Sequence, residues 1–258
     1  MKRIALALLT IAALSASAPG RESLANIAPR KTVAVLYFDN YTGRADYDPL
    51  GKGIATMMIT DLSSVQEIQI VERDRLQDLV KEIDNQGTKY FDSTTAVKVG
   101  KLTGAQYVVV GAVGAVQPQI RIDTRVVKVE TGEIVKSAQV TGKEDQFFEL
   151  EQKLSQKLID GLALALSPEE QQLLKEKQEQ NRINDLSTIL SFSQALAYQD
   201  RGDYVNAVLK MEPVLRAAPG SSIVKLTYDA MKLRAQQKMQ EKANEKIKSG
   251  IGKLFGRP

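Results

Sequence analysis

The chain of 258 residues contains no cysteine, no histidine and no tryptophan. The lack of cysteine excludes disulfides, thiol nucleophiles and thiolate metal sites. The lack of histidine removes both the commonest general base and the commonest zinc ligand. Beyond the first two dozen residues, no apolar run approaches the roughly 20 residues of a membrane-spanning helix. Catalysis is therefore not expected, and neither a cofactor nor a bound metal is.

What is present begins with an export signal. Met1-Lys2-Arg3 is basic, Ile4 to Leu14 is apolar, and Pro19-Gly20 breaks any helix. Cleavage after Ser23-Leu24-Ala25 fits best and makes residues 1–25 the signal peptide. The alternative cut, after Ala18, would leave Pro19 next to the scissile bond. The expected location is the periplasm, with association to the outer membrane left open. Charge is uneven: residues 26–167 carry 17 basic and 19 acidic groups, and residues 168–220 carry 6 and 8. Residues 221–258 carry 9 basic and 3 acidic groups, so the excess of positive charge belongs to the tail. A folded basic face for nucleic acid is not expected.

Periodicity outlines the elements. Val33 to Phe38 reads as a buried strand, followed by a turn-rich loop from Asp39 to Pro49. Leu50, Ile54, Met57, Met58 and Leu62 recur at helical spacing up to about Ser63, and Ile68 to Val71 forms a short strand. Leu76, Leu79, Val80 and Ile83 line a second helix. Ser93-Thr94 caps a third that ends near Gly104. Strands follow at Tyr107–Val116, Gln119–Glu130 and Glu133–Val140, with a turn at Thr131-Gly132. Phe148, Leu154, Leu158 and Leu162 mark an amphipathic helix closing near Leu166. The fold class is α/β (α+β), helices on a mixed sheet, followed by an all-α module.

Three segments carry a family resemblance: Val33-Ala34-Val35-Leu36-Tyr37-Phe38-Asp39-Asn40, Val71-Glu72-Arg73-Asp74-Arg75-Leu76, and the run from Gly100 through Gly104-Ala105 and Val108-Val109-Val110 to Gly111. They resemble the CsgG-like family, best known for curli secretion channels of the bacterial outer membrane. Many of its members are lipoproteins, whereas this chain has no cysteine to carry a lipid. Downstream, Ser167-Pro168-Glu169-Glu170 is a strong helix start, and the polar stretch Leu173 to Arg182 reads as a solvated connecting helix. Ala195, Tyr198, Gly202, Tyr204, Ala207, Leu215 and Pro219 then resemble one tetratricopeptide repeat over about Thr188 to Ser221, in which Pro213 should kink or shorten the second helix. The expected organisation is a CsgG-like domain over 26–167, a connecting helix and repeat-like hairpin over 168–221, and a helix with a basic tail over 222–258.

Motifs with chemical connotations weigh little. Ser222-Ile223-Val224-Lys225 matches Ser-x-x-Lys without companion motifs and reads as a helix start. Gly51-Lys52-Gly53 and Gly142-Lys143 lack the spacing of a phosphate-binding loop. Gly111 and Gly114 do not complete a dinucleotide fingerprint and read as places where a helix comes close to the sheet. Asp39, Asp46 and Asp48 lack the spacing of a cation-binding loop and read as solvated.

The resemblance implies that channel-forming relatives insert two hairpins into this domain to build a membrane barrel. A transmembrane strand needs about 9–11 residues. The first insertion point holds only Gln117-Pro118-Gln119, and the second only Thr141 to Phe147. Along Ile120 to Glu130 both faces carry charge: Lys128 and Glu130 on one, Arg121, Asp123 and Arg125 on the other. The expectation is a periplasmic protein that binds protein partners of the cell envelope, as an accessory to curli-type export or cell-wall machinery. Its partner-binding candidates are Tyr198, Arg201 and Tyr204 in the hairpin and Arg73 at the strand-to-helix corner. The alternative is a ring-forming subunit of an outer-membrane secretion channel. A homo-oligomer and weak attachment of the basic tail to a membrane surface remain open.

Overall fold

The computed structural model describes residues 30–254, apart from 73–75, 77–78, 80–81, 84–86, 88 and 117. Residues 1–29, which include the expected signal peptide, the Arg73 corner and residues 255–258 lie outside it. Five strands form one mixed sheet: β1 (Lys31–Tyr41), β2 (Ile68–Ile70), β3 (Tyr107–Val116), β4 (Gln119–Lys128) and β5 (Ile134–Gly142), in the order β2-β1-β3-β4-β5. β1 is parallel to β2 and β3, and β3-β4-β5 is an antiparallel meander. The parallel pairs arise because helical connections return the chain to the same end of the sheet.

Helices cover both faces. α1 (Leu50–Leu62) buries Leu50, Ile54, Met58 and Leu62 against β1. α2 (Ser93–Thr103) lies on the opposite face, where Gly100 leaves room for Val108 and Val129. Its cap is Asp92 rather than Ser93 or Thr94: the Asp92 carboxylate accepts from the Thr95 N–H at 2.9 Å. Gly104 ends it at φ +74°, a conformation that favours glycine. α3 (Phe147–Gly161) packs beside α1 over β4 and β5, burying Phe147, Phe148, Leu154 and Leu158. It stops earlier than its apolar pattern suggests, with Ala163 at φ +53° just beyond.

Gly111 does permit close packing, but of the neighbouring strand. The Phe38 ring lies where its Cβ would be, and Gly114 has open space. A register shift between Val35 and Phe38 lets β1 turn that ring toward Gly111. Asp39 is no solvated loop acid either. It is buried, and its carboxylate accepts from the backbone N–H groups of Tyr90 and Phe91 at 3.2 and 3.0 Å.

Four helices follow: α4 (Pro168–Gln180), α5 (Leu186–Asp200), α6 (Tyr204–Ala217) and α7 (Ser222–Leu254). Ser167 and Glu170 form a reciprocal cap at the start of α4, as its sequence predicts. α4 is solvated on one side only, because Leu174 and Gln178 are buried. α6 runs through Pro213 without shortening. That proline lies on the exposed side, as does Leu209 four residues earlier, so water can serve the carbonyl left without an N–H. Apolar packing is continuous from Val33 of β1 to Met231 of α7, so sheet and helical module share one core.

Candidate functional site

The residues that join the two parts are Gly51, Lys52 and Gly53, in the first turn of α1. A Cβ on Gly51 would sit 1.9 Å from the Phe38 carbonyl oxygen, so only glycine lets α1 press this closely on β1. A Cβ on Gly53 would sit 2.1 Å from Ser193 Oγ, so only glycine lets α5 come equally close on the other side. Between them, Lys52 Nζ donates to Asp200 Oδ2 at 2.9 Å, and the Tyr37 hydroxyl donates to the same oxygen at 2.9 Å. The ammonium also lies 4.0 Å from the centre of the Tyr37 ring. The Gly-Lys-Gly step is thus a joint between strand, helix and helical module.

Two further links fasten the module. The Arg182 guanidinium reaches Glu149 and Glu179 at 3.0 and 2.9 Å and stacks over Phe148. The Asn181 side-chain oxygen accepts from the Ile223 N–H at 3.1 Å, tying the α4–α5 turn to the start of α7. Beneath them, Gln178 Nε2 donates to Asp61 of α1, and Ser155 Oγ donates to Glu151 of α3 at 2.9 Å. Burial raises the Asp61 carboxyl to about 6. Burial, then the neighbouring Asp61 charge, pushes Glu151 well above the ordinary carboxylate range.

A polar hollow of about 180 Å³ opens where the sheet changes winding direction, bordered by Asp39, Asn40, Asp48, Lys52, Lys89 and Tyr90. Ligands often bind at such a point. Here the groups are already engaged with one another. Asn40 donates to Asp48, Asp39 holds the Tyr90 and Phe91 backbone, and Lys52 is paired with Asp200. Among the described residues no group of three or more carboxylates is arranged to hold a metal ion. No helix among them is long and apolar enough to cross a membrane.

The α5–α6 turn brings together three of the four residues singled out in the sequence. The Arg201 guanidinium stacks 4.7 Å from the Tyr198 ring centre, and Tyr204 opens α6 with Lys238 of α7 5.2 Å from its ring. Gly202, at φ +71°, makes the turn, and Asp203 caps α6 through the Asn206 N–H. Arg201 is exposed, while both tyrosines are half-buried, with Tyr198 packed against the core. Arg73 lies outside the described residues. The sequence reading missed Val205 and Leu209, 54% and 58% exposed on the next turns of α6. Their position off the Ala207, Met211, Val214 face is the signal that marks them. Together these groups offer a cation, aromatic edges and an apolar patch, a composition suited to protein contact.

Residues 21–118 match the family described as the curli production assembly/transport component CsgG. The putative adenylate cyclase 3 of Rhizobium meliloti (strain 1021) is 24% identical over 206 residues, which is 77% of this chain and 33% of that protein. The chain thus spans well under half of that relative. Among solved structures, the LpoB C-terminal domain from Salmonella enterica is similar, at 15% identity and TM-score 0.36, over 46% of this chain and 87% of that one. The PelC dodecamer from Paraburkholderia phytofirmans is similar at 18% identity and TM-score 0.34, over 54% of this chain and 90% of that one.

Proposed function

The N-terminal part of this chain, residues 21–118, is CsgG-like, and from that premise we propose a non-catalytic, periplasmic protein-binding component of the bacterial cell envelope. The observation that carries this reading is how the sheet closes. β3 pairs with β4 from Tyr107–Lys128 to Val116–Gln119, and only residues 117–118 connect them. β3 is held on its other side by β1 as far as Gly114, and β4 by β5 as far as Ile120. β5 passes into α3 through Lys143 and a single turn, Glu144–Gln146. Both sides of the hairpin are therefore committed to the sheet, and the charged face of β4, with Arg121 and Arg125, is unsuited to lipid.

In place of membrane hairpins the chain carries a helical module, docked through the Gly51-Lys52-Gly53 joint. Its exposed turn at Arg201, with Tyr198, Tyr204, Val205 and Leu209, is where a protein partner would bind. The assembly it serves would be curli-type export or cell-wall synthesis. Crosslinking from a photoreactive residue at position 205 in living cells tests this. A defined envelope protein should be captured, and capture should drop with Arg201→Glu. Ion conductance of the purified protein in planar bilayers would overturn the reading in favour of a channel subunit.

A further inference from the structure

α7 is the longest element of the molecule, 33 residues, or about 50 Å at the α-helical rise. Its first turns bury Ile223, Val224 and Met231 on the side facing α6. From residue 236 to residue 248 every position is exposed. Helices that pack against nothing are marginal in water.

The side turned away from α6 is not random. Leu226, Leu233, Gln240 and Ile247 recur every seven residues, and Ala230, Gln237 and Asn244 recur every seven between them. The apolar members are strongly exposed: Leu226 is 71%, Leu233 56% and Ile247 59% accessible. Spacings of 4 and 3 that sum to 7 form the seam of a two-stranded coiled coil. The sequence continues it with Ile251 and Leu254.

We propose that α7 pairs in register with α7 of a second copy of this chain, as a parallel coiled coil related by a two-fold axis. Charge complementarity between two copies supports the parallel pairing. In the parallel arrangement Asp229 faces the partner's Arg234, twice by symmetry, and the next flanking pairs, Gln236 with Glu241 and Ala243 with Lys248, are free of like charge. In the antiparallel register that sets Glu241 against its own copy, Arg234 would face Lys248, and both contacts are repulsive. The polar layers fit a pairing of identical helices. Gln237, Gln240 and Asn244 each meet themselves, and a buried asparagine at this kind of position fixes register and strand number. Gln240 already donates to Asn244 at 3.3 Å along the seam. The remaining lysines of the tail, Lys238, Lys242 and Lys246, fall on outer positions and do not enter the contact. The inference rests on α7 alone and is independent of the proposed envelope role.

Sedimentation equilibrium of the purified full chain tests it. A dimer is expected, and Leu233→Glu with Ile247→Glu should give a monomer with an unchanged thermal transition of the body. Asp229→Arg should weaken dimerisation about tenfold, and the exchange Asp229→Arg with Arg234→Asp should recover most of it. A monomer up to about 100 µM, or a dimer indifferent to both sets of changes, overturns the proposal. So does a monomer that binds phosphatidylglycerol vesicles through Ile247.

Discussion

Lys52 and Asp200 are 148 residues apart in the chain, and their side chains meet at 2.9 Å with little water around either. The pair is asymmetric. Asp200 is buried at the end of α5, whereas the lysine stem can extend to the rim of the hollow beside β1. Lys52→Met should cost roughly 3 kcal/mol, because a buried carboxylate loses its charged partner. Asp200→Asn should cost clearly less, since the ammonium can turn to solvent. Urea midpoints of the two variants check the order; equal losses would refute it.

The joint also predicts a compensating pair. Gly53→Ala places a methyl group 2.1 Å from Ser193 Oγ and should destabilise by about 1–3 kcal/mol. Ser193→Gly alone should cost little in packing volume, and the double variant should recover a large share of the loss. A double-mutant cycle by chemical denaturation measures the coupling.

Asp61 and Glu151 make stability depend on pH. Both carboxyls are raised in the folded chain, so between about pH 4, where they titrate when unfolded, and their folded values, the native state holds more protons. Stability is therefore greatest at the acid end of that window and falls as pH rises through about 6 and beyond. The Asp61 share is on the order of 3 kcal/mol, for a carboxyl that burial raises to about 6. Glu151→Gln keeps the shape and removes one acid, and should flatten the profile. Denaturation at stepped pH is the measurement, and a wild-type profile that rises toward pH 8 would contradict the assignment.

At the α5–α6 turn, function and stability should separate. Arg201→Ala removes an exposed stacking contact worth about 0.5–1 kcal/mol, and Leu209→Ser removes a side chain already in water. Neither should move the melting temperature by more than a few degrees. Both should reduce partner capture in cells.

The sheet was legible because its signals are local. β3 is a β-branched run entered from a glycine-terminated helix, and Thr131-Gly132 sits between two alternating strands. The start of α4 needed only Ser167, Pro168 and Glu170. What escaped depends on distant partners. Nothing near Gly51-Lys52-Gly53 announces Phe38, Ser193 and Asp200, so the step read as a failed phosphate loop. The connecting helix looked solvated because Gln178, which docks it on Asp61, is polar. The shortening expected at Pro213 does not occur, because the lost hydrogen bond falls on the wet side of α6. One buried group did leave a trace: Glu151, three residues after Phe148 and three before Leu154, is an acid on the apolar stripe of α3.

Because β1, α1 and α5 meet through three consecutive residues, tension applied at the far helices would reach β1 with no slack between. The molecule would answer a pull as a single lever, and a load carried by the helices would strain the sheet's first strand before any hinge could give.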